Sequence, residues 1–278
     1  MGQRRLIYAI CPFSRPSFLK NVIRNFRRQT YQEKKLIVVE NGDAVGACTA
    51  VGFEPDVLLR SEPHQSHAKN AALRWIRQNG GGWFSTFDDD DYYGPNYLQE
   101  VEDSRVFGDI VVKHDHFVLG IDNRLRLFEQ GCRNQEHREG HGATISARAD
   151  ECPDFLDTGV IGEDHRWISE YRDSGAKLWV SSPHHYAVVR HSNNTWKIQD
   201  DSYQRRLHFA SDGACKIWDY GEFRPSLYAV INGQEPGSRE RVIPGELLET
   251  DSPVMNHILS HSPPLDVLAR TLLTTRAD

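Results

Sequence analysis

Apolar residues along this chain follow two patterns. The first is short apolar runs, unbroken at Leu6 to Cys11 and Leu36 to Val39 and β-prone at Trp83 to Phe87. Runs of this length bounded by turn residues describe strands covered on both faces, as in a parallel sheet. The second pattern recurs every three or four residues. Phe18, Leu19, Val22, Ile23 and Phe26 predict an amphipathic helix to about Gln29, with Ser14 as its cap and Pro16 in its first turn. Ala68, Ala71, Ala72, Trp75 and Ile76 give the inner face of a second helix over Ser66 to Gln78, stopped by Gly80-Gly81-Gly82. Strand, helix, strand within about 35 residues is a βαβ unit and implies a parallel sheet.

Weaker signals continue the alternation. Val57 to Leu59 and Asp109 to Val112 predict strands, with a helix over Pro95 to Glu102 between them. From Leu125 to Asp157 the pattern fades, apart from a β-prone piece at Ala143 to Ala147. A helix opens at Gly162-Glu163-Asp164, turns Trp167, Ile168 and Tyr171 inward and ends at Gly175. Strands at Lys177 to Val180 and Tyr186 to Val189 follow. Beyond Asp200 the pattern loosens, closing with short helical pieces near Val254 to Leu259 and Leu265 to Leu273.

Composition narrows the class. The 278 residues are 38% hydrophobic and 26% charged, the balance of a soluble globular protein. A net charge of -6 gives no general attraction for nucleic acid or anionic membrane. Basic residues gather on the first helix and after it, at Lys20, Arg24, Arg27, Arg28, Lys34 and Lys35. This reads first as a solvated face, and second as a patch for a polyanionic acceptor or peripheral membrane contact. The five cysteines form no CxxC pair, which suggests reduced thiols and a cytoplasmic setting. No stretch approaches the length of a membrane span, and the N-terminus has no signal-peptide pattern.

Chemistry concentrates in WFSTFDDDDYYGP, Trp83 to Pro95, where a buried strand runs into four aspartates. Adjacent carboxylates repel, and a fold keeps them in water or around a cation. The carboxyl edge of a sheet is also where open α/β folds bind ligands. A partial calcium loop starting at Asp89 fails at Tyr93 and has a strand rather than a helix before it. There is no phosphate loop of the GxxxxGK type, and HREGH, with His137 and His141, lacks the zinc-protease arrangement.

Taken together, ICPFSRP, VVENGD, AKNAALRW, FDDDD and GEDHRW resemble the family 2 glycosyltransferases of the GT-A fold in order and spacing. The resemblance spans roughly residues 5 to 197. It implies an α/β fold with a mostly parallel sheet flanked by helices: a GT-A domain over 1–200 and a C-terminal extension over 201–278. Within the domain it implies a Rossmann-like nucleotide-sugar half at 1–112 and an acceptor half at 113–200. Carried over residue by residue, Pro12, Arg15, Glu40, Asn41, Lys69, Asn70 and Asp88 fall on the donor side, with Asp88 near the ribose. Asp90 and Asp91 fall at the metal, with Asp89 as spacer, and His191 in VVRHSNNTW matches a metal-binding histidine. Glu163 and Trp167 fall on the acceptor side, and Asp164 is the base. Cys11, Phe13, Glu40 and Lys69 depart from the residues common in that family, and Glu40 is a methylene longer than the usual Asp. Only ExxRW is present where processive members carry QxxRW.

The implied activity is metal-dependent, inverting transfer from a nucleoside diphosphate sugar, UDP before others, to a hydroxyl of a glycan or other glycoconjugate. Carboxylate with imidazole favours Mn²⁺ over Mg²⁺. Two other classes remain open on the residues: a nucleotidyltransferase or phosphohydrolase using the same acidic site, and a nucleotide-sugar-binding module without turnover.

Overall fold

The computed structural model describes residues 6–120, 123–129, 140–157, 162–191, 216–234 and 240–242. The expected helices near Val254 and Leu265, the expected boundary at 200, and His137 lie outside the described residues. In chain order the elements are β1 (Ile7–Phe13), α1 (Leu19–Arg27), β2 (Lys34–Glu40), α2 (Ala47–Ala50), β3 (Val57–Arg60), α3 (Gln65–Gln78) and β4 (Trp83–Thr86). They continue with β5 (Tyr92–Tyr93), α4 (Tyr97–Ser104), β6 (Ile110–Lys113), β7 (His116–Leu119), β8 (Arg124–Glu129) and β9 (Ser146–Arg148). The remainder are α5 (Glu163–Asp173), β10 (Leu178–Ser181), β11 (Tyr186–Val189), β12 (Lys216–Glu222), α6 (Leu227–Ile231) and β13 (Glu240–Val242).

The chain divides into two compact units, one of residues 1–114 and 138–185 and the other of 115–137 and 186–278. The first is built on a seven-stranded sheet in the order β10-β6-β9-β4-β1-β2-β3. Strands β4, β1, β2 and β3 run parallel, as the unbroken apolar runs predict, and β6 pairs parallel with β10. The exception is β9, which inserts antiparallel between β4 and β6. The unit is therefore mixed α/β with a mostly parallel central sheet. One face carries Tyr8, Ile10, Ile37, Val39 and Phe84, covered by Ala68, Ala72, Leu73 and Ile76 of α3 and by Trp167, Ile168 and Tyr171 of α5. The small residues of α3 let that helix lie close on the sheet.

Two local expectations are corrected. Pro12 does not end β1; the strand runs on to Phe13. Ile10 accepts a hydrogen bond from the Phe87 N–H, so alternate residues of β1 turn their backbone groups toward β4. Pairing with β4 stops at Thr86, so the N–H that Pro12 lacks falls where no ladder partner remains. Ser14 is not the cap of α1: a 3-10 turn at Pro16–Phe18 precedes the helix, with Arg15 at its head and Pro16 in its first position.

The second unit holds strands the apolar pattern passes over. Strands β7, β8, β12 and β13 are antiparallel neighbours, and β11 runs parallel beside β7. Among the described residues no helix is long and apolar enough to cross a membrane. Cys11, Cys48 and Cys152 are buried free thiols.

Candidate active site

The four aspartates occupy the turn between β4 and β5, and contacts to its backbone fix it from two sides. Helix α1 presents Asn21 and Asn25, spaced four apart and hence on one face, and Gln29 follows just past its end. Asn21 donates to the carbonyls of Asp89 and Asp91 at 2.9 Å each, and Asn25 donates to that of Asp91 at 2.8 Å. Asn25 also accepts from the Tyr93 N–H, while Gln29 donates to Gly94 and accepts from Leu98. From below, the Tyr93 hydroxyl accepts the Asp88 N–H at 2.7 Å and donates to the Ala143 carbonyl at 2.8 Å. Its ring stacks on Phe87 with centroids 4.0 Å apart. The main chain of the loop is thus held by side chains from α1, from Gln29 and from Tyr93.

Asn25 is 1% exposed, and truncating it strands the Tyr93 N–H in the interior. A buried donor without a partner costs about 1–3 kcal/mol. We expect Asn25→Ala to lower the free energy of urea unfolding by that amount, as read from the shift in midpoint; an unchanged midpoint would mean the amide is dispensable.

The four acids are not equivalent. Asp89, expected as a spacer, is 2% exposed and is the main partner of Arg15. The guanidinium bonds both Asp89 oxygens and extends its other nitrogen to Asp90 at 2.8 Å. Burial pushes the Asp89 carboxyl up to about 6 even though Arg15 opposes this. Asp88, Asp90 and Asp91 each offer a carboxylate oxygen, and the three lie within 4.8 Å of one another. Burial first, and then the charges of Asp91 and Asp90, hold the Asp88 carboxyl well above the usual carboxylate range. This is an all-oxygen donor set whose mutual repulsion a divalent cation relieves, and it fits Mg²⁺ or Mn²⁺. Cys11, in the last half of β1, feels the same charges: burial and then Asp89 and Asp88 push its thiol up.

A second group forms around Lys69 on α3, whose side chain is 1% exposed. Its ammonium lies 2.5 Å from Asp164 Oδ1 and 3.4 Å from Glu163 Oε1, the two acids in the first turn of α5. Burial would lower the Lys69 pKa, but Asp164, Glu163 and Asp88 outweigh it and raise the pKa. Lys69 thus stands as a buried cation within electrostatic reach of both Asp88 and Asp164. Glu163 is pushed up by burial against the opposing pull of Lys69. Both acids sit where the partial positive charge of a helix N-terminus favours them. Asp164 keeps 21% of its side chain exposed.

Other expected site residues take supporting positions. Asn70 exchanges two 2.7 Å hydrogen bonds with the backbone of Phe155. Trp167 is 1% exposed, stacks on Phe155 and donates its indole N–H to Pro153, so it supports α5 from the core. Glu40 is fully buried, and its two oxygens accept the N–H groups of Gly46 and Cys48 at 2.7 and 2.8 Å. Those bonds outweigh burial and keep its pKa low. Gly46 heads α2 at φ 89°, a conformation that favours glycine. Asn41 is buried at the head of the 3-10 turn Gly42–Ala44. Pro12 is buried within β1. His191 belongs to the second unit, follows β11 and is buried.

No family model matches the chain, and no curated protein sequence does. Solved structures with a similar trace exist. S. aureus TarS in complex with UDP-GlcNAc is 13% identical, with a TM-score of 0.49, over 81% of this chain and 71% of that one. The mannosyltransferase PcManGT from Pyrobaculum calidifontis, in complex with GDP-Man and Mn²⁺, is 15% identical, with a TM-score of 0.49, over 98% of this chain and 80% of that one. A 4-diphosphocytidyl-2C-methyl-D-erythritol synthase is 13% identical, with a TM-score of 0.46, over 74% and 99%. Likeness of this degree says nothing of chemistry, which rests on the chain's own residues.

Proposed function

We propose that this protein is a divalent-metal-dependent, inverting glycosyltransferase that moves a sugar from a nucleoside diphosphate sugar to a hydroxyl acceptor. The observation that carries this reading is Lys69, buried, bonded to Asp164 on one side and within electrostatic reach of Asp88 of the acidic trio on the other. A metal-binding carboxylate set and a partly open carboxylate at a helix N-terminus supply the two functions that sugar transfer needs. In the proposed step the acceptor oxygen attacks the anomeric carbon as the bond from that carbon to the diphosphate oxygen breaks. The acceptor proton passes to Asp164, and the diphosphate departs with the bonding pair. Attack opposite the leaving group inverts the centre.

Asp88, expected near the ribose, stands with Asp90 and Asp91 in one oxygen set, and the three would hold the cation, which as a Lewis acid would stabilise the negative charge on the departing diphosphate. Arg15 is placed beside that charge by Asp89. Glu40 serves the nucleoside side by fixing the 46–48 turn, and Asn70 by fixing the segment at Phe155. The metal role of His191, the donor-side roles of Pro12 and Asn41, the choice of UDP and the choice of Mn²⁺ rest on the family resemblance. So does a glycan or glycoconjugate as acceptor.

Incubation with a panel of nucleotide sugars and Mn²⁺ tests this reading. We expect release of the nucleoside diphosphate, abolished by a chelator and restored by Mn²⁺. Release of pyrophosphate or nucleoside monophosphate instead would assign the site to nucleotidyl transfer or phosphohydrolysis. Binding without any turnover would make the protein a nucleotide-sugar-binding module.

A further inference from the structure

We infer that Gly142 is a positioning residue for Asp164: the side chain missing at 142 is the space that the Asp164 carboxyl group occupies. The inference rests on the reading of Asp164 as the base. A Cβ at Gly142 would lie 2.0 Å from Asp164 Oδ2, 2.5 Å from its Cγ and 2.7 Å from its Cβ. The clash covers most of the side chain, so turning the carboxylate tip does not relieve it.

Glycine here is not explained by backbone freedom. Gly142 is absent from the positive-φ glycines, so alanine could adopt its conformation. What glycine provides is close approach. Neither side can retreat easily. On one side, the Gly142 carbonyl accepts from Thr86 Oγ1 at 2.9 Å, and the Ala143 carbonyl accepts from Tyr93 at 2.8 Å. Thr144 Oγ1 accepts the Lys113 N–H at 3.0 Å and donates to His141 at 2.7 Å. The 3-10 turn Gly142–Thr144 is thus fastened to the end of β4 and to Tyr93, the residue that also holds the Asp88 N–H. On the other side, Asp164 is fixed by the first turn of α5 and by Lys69 on Oδ1. One turn therefore sets the placement of the base against the strand that carries the metal ligands. A methyl group at 142 has to displace Asp164.

A misplacement of about 1 Å costs on the order of 100-fold in rate. Gly142→Ala should therefore lower kcat about 100-fold while Mn²⁺ affinity and donor KM stay near the parent values. In an Asp164→Asn background the same change should add no further loss. If Asp164→Asn alone keeps its turnover, the base assignment falls. If it loses turnover but Gly142→Ala does not, the base assignment stands and the positioning role falls. Additive losses in the double variant would also overturn the positioning role. A thermal melt reads the contact without activity. Gly142→Ala should lower Tm, or prevent folding, in the parent and do neither when Asp164→Gly is also present. An equal loss in both backgrounds would overturn the inference.

Discussion

Replacing Asp164 by Asn should lower kcat by roughly 10²–10⁴-fold, the usual worth of a positioned general base, with donor and metal binding retained. The asparagine has nearly the same volume and still offers Lys69 an oxygen, so the Lys69 contact at 2.5 Å can persist. Lys69 also keeps Glu163, 3.4 Å away, as an anionic partner. What the variant loses is the ability to take the acceptor's proton. Single-turnover measurement with saturating donor isolates that step from product release. Turnover near the parent value would remove Asp164 as base and return it to the role of a helix-terminal acid.

The second large effect concerns Asp90. Asp90→Ala should abolish the Mn²⁺ dependence of nucleoside diphosphate binding, as read by titration with and without the metal. Outer-shell partners of a metal are worth about 10–100-fold in affinity, so loss of a direct carboxylate should exceed that. The variant should still fold, because the principal hold on Arg15 is Asp89 and not Asp90. Retained Mn²⁺-dependent affinity would move the metal to Asp88 and Asp91 alone.

Much of the first unit is legible in the sequence because its strands are buried on both faces. Leu6 to Cys11, Leu36 to Val39 and Trp83 to Phe87 stand out as largely apolar runs, and each overlaps a strand. Strand β8 is harder to see, since RLRLFE alternates charged and apolar residues and Arg126 is nonetheless buried. Strand β7 is only four residues long and opens on a histidine, with His114 just before it. The acids of the site are legible as a run, because four adjacent carboxylates need a physical reason. Their division of labour is not. Asp89 is set apart by the grip of Arg15 on both its oxygens, from 74 positions away in the chain. Asn21, Asn25 and Gln29 read as ordinary polar helix residues, since the groups they bind are main-chain carbonyls and amides with no residue signature. Gly142 acts through an absent side chain, which no pattern of residue types records.

The fork that Arg15 makes with Asp89 and Asp90 has one further consequence. Many small metal sites take shape only when the ion arrives, so binding energy there is also folding energy. Here a guanidinium, three amides and a tyrosine hydroxyl already hold the acidic turn. If the cation binds there as proposed, the shape of the turn would not depend on it. We therefore expect a chelator to leave a cooperative thermal melt, and loss of that melt would tie folding to the ion.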